Sequence, residues 1–282
     1  MRILVTGASG QLGHDLAEEL LARGHDVTGL SSKDMNLLDP AAVKQYLTAA
    51  APEAVIHCAA YTAVDRAEDD TETCIAVNYL GTKAIAETCA EIGCKLLFIS
   101  TDYVFPGIGE RPWEPDDETD PLNTYGRSKL LGEEAVRAAT KKHYIVRISW
   151  LYGVNGKNFV KTMLRLGAEK NEIKVVNDQI GSPTYSRDLS VLLADMIDTD
   201  SYGTYHASNE GFCSWYEFAC AIIQKAGLPA RVVPVPSSEY PTRARRPMNS
   251  RMSKDKLTAC GFRRLPPWDD ALTRFLSELK EI

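Results

Sequence analysis

No apolar run in this chain of 282 residues comes near the ~18 that a membrane-spanning helix needs. No Cys-x-x-Cys pair occurs among the seven cysteines, so no metal site is expected. The cysteines are odd in number and scattered. Cys58, Cys89, Cys94 and Cys220 sit in apolar surroundings and read as small core residues. That usage fits a reducing, cytoplasmic compartment. Basic residues are not in excess: 32 Lys and Arg face 38 Asp and Glu, a net charge of −6. A sequence-independent nucleic-acid binder needs the opposite balance, so no nucleic-acid partner and no membrane are expected. There is no internal repeat and no low-complexity tract, and with the first strand at the start no signal peptide is expected. The length suits one large domain, or a large and a small one.

What is present begins at once. Arg2 to Val5 reads as a buried strand through Ile3, Leu4 and Val5. Gly7, Gly10 and Gly13 follow at a G-x-x-G-x-x-G spacing around Gln11 and Leu12. A helix then opens with Leu12, Leu16, Leu20 and Leu21 on one face. Strand, glycine turn and helix in that order form a dinucleotide-binding unit. Gly7 permits the tight turn. Gly10 lets the backbone approach a pyrophosphate, and Gly13 lets helix and strand pack closely. The helix N-terminus aims unpaired N–H groups and its positive dipole end at the phosphates.

His25 to Leu30 is a second strand. An acidic residue often stands at its end to hold the adenosine ribose. Here Ser31, Ser32 and Lys33 take that place, and no carboxylate is expected there to repel a 2′-phosphate. This favours NADPH, or use of both NADPH and NADH. Glu53 to His57 is a third strand, and the small Cys58, Ala59 and Ala60 after it leave space for a cofactor. A long helix, Thr71 to Ile92, carries Ile75, Tyr79, Ile85, Ala86 and Cys89 at helical spacing, and Lys95 to Ser100 is a fourth strand. Thr101 to Thr124 holds prolines at 106, 112, 115 and 121 and six carboxylates between Glu110 and Asp120. It reads as a surface loop, its acidic part a solvated lid. A helix from Tyr125 and a fifth strand, Tyr144 to Ser149, complete the alternation. The fold class is therefore α/β, a doubly wound parallel sheet of Rossmann type over residues 1–150. Residues 151–282 read mostly as a smaller α/β substrate-binding domain, with parts of 173–208 returning to the main sheet.

The chemical signature is Thr101 with Tyr125 and Lys129. Residues four apart on a helix share a face. A free tyrosine has a pKa near 10, and a neighbouring ammonium favours its phenolate. The pair makes an acid able to protonate a developing alkoxide. Thr101, at the end of the fourth strand, is placed as a second donor to the same oxygen.

The chain resembles the extended short-chain dehydrogenase/reductases in its glycine turn and its Tyr-x-x-x-Lys. Within them it is similar to the branch that carries Ser100-Thr101-Asp102-Tyr103-Val104-Phe105 and Asp178-Gln179-Ile180-Gly181-Ser182-Pro183-Thr184. The resemblance implies reduction of the C4 ketone of dTDP-4-dehydro-L-rhamnose to dTDP-L-rhamnose by NADPH or NADH. It implies catalysis by Thr101, Tyr125 and Lys129. It assigns cofactor contacts to Gly7, Gly10, Gln11, Leu12 and Gly13, and further to Ser31, Asn36, Leu37, Ala59, Ala60, Tyr61, Thr62, Ser100, Tyr125 and Lys129, the last anchoring the nicotinamide ribose. Asn36 and Leu37 stand on the adenine side, where relatives often have Asp for Asn36. It assigns contacts with the dTDP-sugar to Val64, Thr101, Asp102, Tyr103 and Trp150. Arg245, Arg246 and Pro247 resemble a late basic segment that faces the diphosphate. A monomer or homodimer is expected. Another NDP-sugar 4-ketoreductase or epimerase, or a non-catalytic regulatory subunit that keeps the cofactor, are the competing readings.

Overall fold

Successive side chains of a strand point to opposite faces of its sheet, and here both faces are covered. Ile3, Val5, Ala54, Ile56, Leu97, Ile99 and Val146 pack one way, while Leu4, Val55, Leu96, Phe98 and Ile145 pack the other. Near-continuous apolar strands are the consequence. The computed structural model describes residues 1–281.

β1 (Arg2–Thr6), α1 (Gln11–Ala22), β2 (Asp26–Leu30), α2 (Pro40–Ala50) and β3 (Ala54–His57) open the chain. α3 (Val64–Ala67) and α4 (Thr71–Ile75) lead through a π-helical turn, Ala76–Gly81, into α5 (Thr82–Ile92). β4 (Lys95–Thr101), α6 (Thr124–Ala139) and β5 (His143–Ile148) follow. Then come β6 (Leu151–Tyr152), α7 (Phe159–Glu169), β7 (Glu172–Val176), β8 (Ile180–Gly181), β9 (Thr184–Tyr185), α8 (Ser186–Ile197) and β10 (Gly203–His206). β11 (Cys213–Ser214), α9 (Trp215–Lys225), β12 (Arg231–Val235), α10 (Asp255–Ala259) and α11 (Trp268–Glu281) finish it.

The main sheet has six parallel strands in the order β2-β1-β3-β4-β5-β10. The chain reverses its direction of travel between β1 and β3. That switch point is where open α/β sheets bind ligands, outside the carboxyl ends of the strands. Leu12, Leu16 and Leu20 of α1 and Leu189, Leu192 and Leu193 of α8 cover one face. Val43 and Leu47 of α2, Ile85 and Cys89 of α5 and Val136 of α6 cover the other. A third core joins Val160 and Met163 of α7, Phe218 and Ile222 of α9, Phe275 of α11, and Ile173 and Val175 of β7. β10 pairs with β5 in the main sheet, whereas β7 pairs with β12 in a separate two-stranded sheet. None of the described helices is long and apolar enough to cross a membrane.

The expected elements are corrected in four places. Leu21 is 57% exposed, off the buried face of α1 that the other three leucines form. The helix from Thr71 to Ile92 contains the π turn, which adds a residue and rotates the face. Cys74 and Asn78 are buried there, and Ile75 and Tyr79 are only half-buried. Cys58 and Cys220 are half-buried too. The Thr101–Thr124 segment is a fastened wall rather than a lid. Its Val104 and Phe105 are buried and the Phe105 ring stacks on Trp113. Trp113 N–H donates to the Arg251 carbonyl and Arg147 donates to the Pro115 carbonyl, while Asp117 pairs with Arg111.

Candidate active site

The carboxyl ends of β1, β3, β4 and β5 open onto a cavity of about 690 Å³, well within the size range of small-molecule sites. Its floor is the glycine turn. Gly7 has φ +69°, and a Cβ there would lie 2.8 Å from the Ala59 nitrogen. A Cβ on Gly13 would overlap the Gly7 carbonyl, so α1 can start this close to β1 only with glycine. Gly10 is the N-cap of α1 and no side chain caps the helix. The first-turn N–H groups of Gln11, Leu12 and Gly13 therefore have no intrahelical acceptor. An uncapped helix start over a cradle without side chains fits the diphosphate of a dinucleotide.

One wall carries the proton chemistry. Asn123 caps α6, its Oδ1 accepting from Gly126 N–H at 2.8 Å. This places Tyr125 and Lys129 on the cavity side. Lys129 is 2% exposed. Its Nζ donates to the Ile99 carbonyl at 2.7 Å and lies 3.9 Å from the Phe98 ring centroid. Burial pushes its pKa down to about 7, against the pull of the Glu133 carboxylate. Burial also pushes Tyr125 up, opposed by the nearby Thr101 hydroxyl. Lys129 was expected to make Tyr125 acidic. The desolvation that disfavours the ammonium also disfavours the phenolate, and it dominates both groups.

Thr101 Oγ1 donates to Asp102 Oδ1 at 3.0 Å and accepts from Tyr103 N–H at 3.2 Å. A hydroxyl has one proton, so Thr101 must turn away from Asp102 to donate elsewhere. Asp102 is 2% exposed and its Oδ2 has no partner. Burial raises its pKa to about 6, opposed by the nearby polar side chains of Ser250 and Thr101. The Tyr103 ring meets Tyr125 edge-on, with centroids 5.5 Å apart. Ser100 lines the cavity, but its hydroxyl donates to Glu133 at 2.6 Å.

The cavity brings together Gly7, Gly10, Gln11, Leu12 and Gly13 with Ala59, Ala60, Thr62 and Val64. Across it stand Ser100 to Tyr103, Tyr125, Lys129 and Trp150. Four of the expected cofactor contacts lie outside this lining. Ser31 N–H and Oγ both donate to Asp34, so a carboxylate does stand at the end of β2, and Ser32 lines the cavity in place of Ser31. Asn36 is exposed and accepts from Leu38 N–H at 3.1 Å. Leu37 is buried in the core beside Gly81. The Tyr61 hydroxyl donates to Asp70 at 3.2 Å. Arg246 is drawn onto Asp65 at 2.6 Å and onto the Tyr103 hydroxyl at 3.0 Å. Arg245 lines a neighbouring cavity of about 450 Å³.

Three features were not anticipated. Asn78, 1% exposed, clamps the Tyr61 peptide: its Oδ1 accepts from Tyr61 N–H at 2.8 Å and its Nδ2 donates to Tyr61 O at 3.1 Å. The same Nδ2 donates to Ser128 Oγ at 2.9 Å, which donates to the Tyr125 carbonyl at 2.7 Å. Lys157 lines the cavity near the glycine turn, where Asn155 Nδ2 donates to the Ser9 carbonyl at 2.9 Å. Trp215 also lines the cavity and stacks on Trp150 at 3.8 Å, while Trp150 adopts φ +50°. The nearest sequence signal for Asn78 is its place on a helix face. Lys157 and Trp215 arrive through tertiary folding and carry none. Among the described residues, His14, Asp15 and Glu18 form the one group with metal-ligand atoms all within 4.8 Å of one another. Asp15 accepts there from the Ser186 hydroxyl, and the other two side chains are exposed.

A family model described as the RmlD substrate binding domain matches residues 1–281. The dTDP-4-dehydrorhamnose reductase of Mycolicibacterium smegmatis is 43% identical over 96% of this chain and 84% of its own. The spore coat polysaccharide biosynthesis protein SpsK of Bacillus subtilis is 42% identical over 98% of this chain and 97% of its own. Among solved structures, a dTDP-4-dehydrorhamnose reductase of Bacillus anthracis in complex with NADP superposes with a TM-score of 0.96. That enzyme is 44% identical, and the match covers 98% of this chain and 99% of that one.

Proposed function

Because the chain belongs to the RmlD substrate binding domain family, we propose that it reduces the C4 ketone of dTDP-4-dehydro-L-rhamnose to dTDP-L-rhamnose with NADPH or NADH. The observation that carries this reading is the convergence of Thr101, Tyr125 and Lys129 on the cavity that the glycine turn floors. Bound NADPH supplies a hydride to the carbonyl carbon. Tyr125 gives its proton to the carbonyl oxygen. Its raised pKa keeps that proton in place at neutral pH, and an alkoxide is basic enough to take it. Lys129 holds the nicotinamide ribose and adds positive charge beside the reacting oxygen. Thr101 shares the oxygen by turning from Asp102, which faces the sugar hydroxyls with its unpartnered Oδ2.

Gly7, Gly10, Gln11, Leu12 and Gly13 hold the pyrophosphate, with Ala59, Ala60, Thr62 and Ser100 along the ribose and nicotinamide. Val64, Tyr103 and Trp150 border the sugar. Residues 1–150 serve the cofactor and 151–282 mostly the nucleotide sugar, with parts of 173–208 in the main sheet. The protein works in the cytoplasm as a monomer or homodimer, without nucleic acid. The unpaired cysteines and the net charge of −6 support that placement. Incubation of the purified protein with NADPH and dTDP-4-dehydro-L-rhamnose, with the product identified by NMR, tests the reading. Formation of dTDP-L-rhamnose supports it. Formation of the C4 epimer of that product replaces it with another 4-ketoreductase. Epimerisation of the sugar without net oxidation of NADPH, or cofactor binding without turnover, replaces it with the epimerase or the regulatory subunit.

A further inference from the structure

We infer that Glu133 is a positioning residue of this site: it ties β4 to the helix that carries Tyr125 and Lys129, and it holds the charge on Lys129. Only the role of Lys129 in holding NADPH is taken from the reading above. Glu133 is fully buried on α6, four residues after Lys129, so the two share a helix face. Its carboxylate accepts four hydrogen bonds. Ser100 Oγ donates at 2.6 Å, Arg147 Nε at 2.8 Å, Arg147 Nη2 at 2.7 Å and Arg137 Nη2 at 2.5 Å. Ser100 precedes Thr101 on β4. One carboxylate therefore sets the spacing between the strand that carries Thr101 and the helix that carries the Tyr-Lys pair. Arg147 extends the tie. Its third nitrogen donates to the Pro115 carbonyl at 3.0 Å and its guanidinium lies 4.9 Å from the Phe105 ring centroid. The wall that follows Thr101 is thus fastened to the same carboxylate.

The groups that face Lys129 are Glu133 on its own helix, His57 and Cys58 at the end of β3, and Cys74 on α4. Burial keeps His57 neutral and pushes both thiols up, Cys58 to about 12. Among these groups Glu133 alone is ionised at neutral pH. The groups that face Glu133 are Arg147 on β5, Arg137 on α6 and His206 on β10, the last kept neutral by burial. Glu133 therefore stabilises the ammonium, and Arg137 and Arg147 weaken that effect.

The test is the pH dependence of NADPH affinity, read by fluorescence titration, in wild type, Glu133→Gln and Arg137→Met. Arg137 is the half-exposed partner, so its removal leaves the core packed. Wild-type affinity falls as pH rises through about 7, where Lys129 titrates. In Glu133→Gln the midpoint moves to lower pH by about half a unit or more, roughly threefold in proton affinity. In Arg137→Met it moves to higher pH. A purely structural role lowers melting temperatures without moving midpoints. A wild type without the midpoint, an unmoved midpoint in folded Glu133→Gln, or movement of both variants in one direction overturns the proposal. Where Glu133→Gln does not fold, Arg137→Met decides alone: a rise supports the proposal and no shift overturns it. A wild type that binds NADPH but does not reduce the keto sugar overturns the reductase reading and leaves this titration readable.

Discussion

A Cβ added to Gly126 would overlap the Tyr103 carbonyl oxygen. The helix that carries Tyr125 and Lys129 thus sits directly on the turn that carries Asp102 and Tyr103. Glycine between Tyr125 and Arg127 is a packing requirement of the site. Gly126→Ala must push the two walls apart. It should cost about 1–3 kcal/mol of stability, the range for overpacking. It should also lower kcat by roughly a hundredfold, as a misplacement of about 1 Å does. Thermal melting and steady-state kinetics read the two effects separately. A variant with native kcat would show that the walls move without consequence.

Lys129→Met should raise stability at pH 7 while it lowers activity. The folded pKa of Lys129, about 7, lies below its ordinary value of 10.5. The unfolded chain then binds more protons between those two values, so this group makes the fold more stable as pH rises through that window. Methionine removes the burial penalty at every pH. The melting temperature at pH 7 should rise by a few degrees, in the range of ~1 kcal/mol for a chain of this size. A lower melting temperature would mean that the bond to the Ile99 carbonyl outweighs the desolvation.

Asp34 should govern the choice between NADPH and NADH. It folds back onto Ser31 at the end of β2, and those hydrogen bonds hold its carboxyl below the usual range. Its charge near the expected site of a 2′-phosphate repels that group. Asp34→Ala should shift kcat/KM toward NADPH by about tenfold, equal to ~1.4 kcal/mol. An unchanged ratio would place the adenosine ribose elsewhere.

Lys157 lines the cavity beside the glycine turn and bonds no described residue through its side chain. Lys157→Ala should weaken NADPH binding by roughly tenfold at low salt, and by less as salt screens the contact. Titration at two ionic strengths checks it. A loss that is equal at both would mean an indirect effect on the loop.

The main strands and the glycine turn were legible because burial on both faces leaves continuous apolar runs, and because a close helix start admits only glycine. The Tyr-Lys pair was legible because four residues make one helical turn. The π turn at Ala76–Gly81 was not, since its apolar residues keep roughly helical spacing and one extra residue leaves no mark. The charge balance at Tyr125 was hidden for a different reason: burial of a named residue is a tertiary property. Asp34 lay three residues past Ser31, and only the turn that its carboxylate makes with Ser31 brings it to the end of β2. Lys157 and Trp215 come from segments that the fold delivers to the cavity from far along the chain. The two-residue strands β6, β8, β9 and β11 are too short to show any period.

The most direct test is turnover of dTDP-4-dehydro-L-rhamnose by wild type and by Tyr125→Phe, measured with NADPH affinity on the same preparations. Phenylalanine keeps the ring and removes the hydroxyl that donates the proton. Wild type should oxidise NADPH as the keto sugar is reduced. Tyr125→Phe should bind NADPH as tightly and lose about 10²–10⁴ in kcat, the range for general acid–base catalysis. Near wild-type kcat in Tyr125→Phe, with chemistry shown to be rate-limiting, would contradict the assignment and send the search for the proton to Asp102 or a bound water.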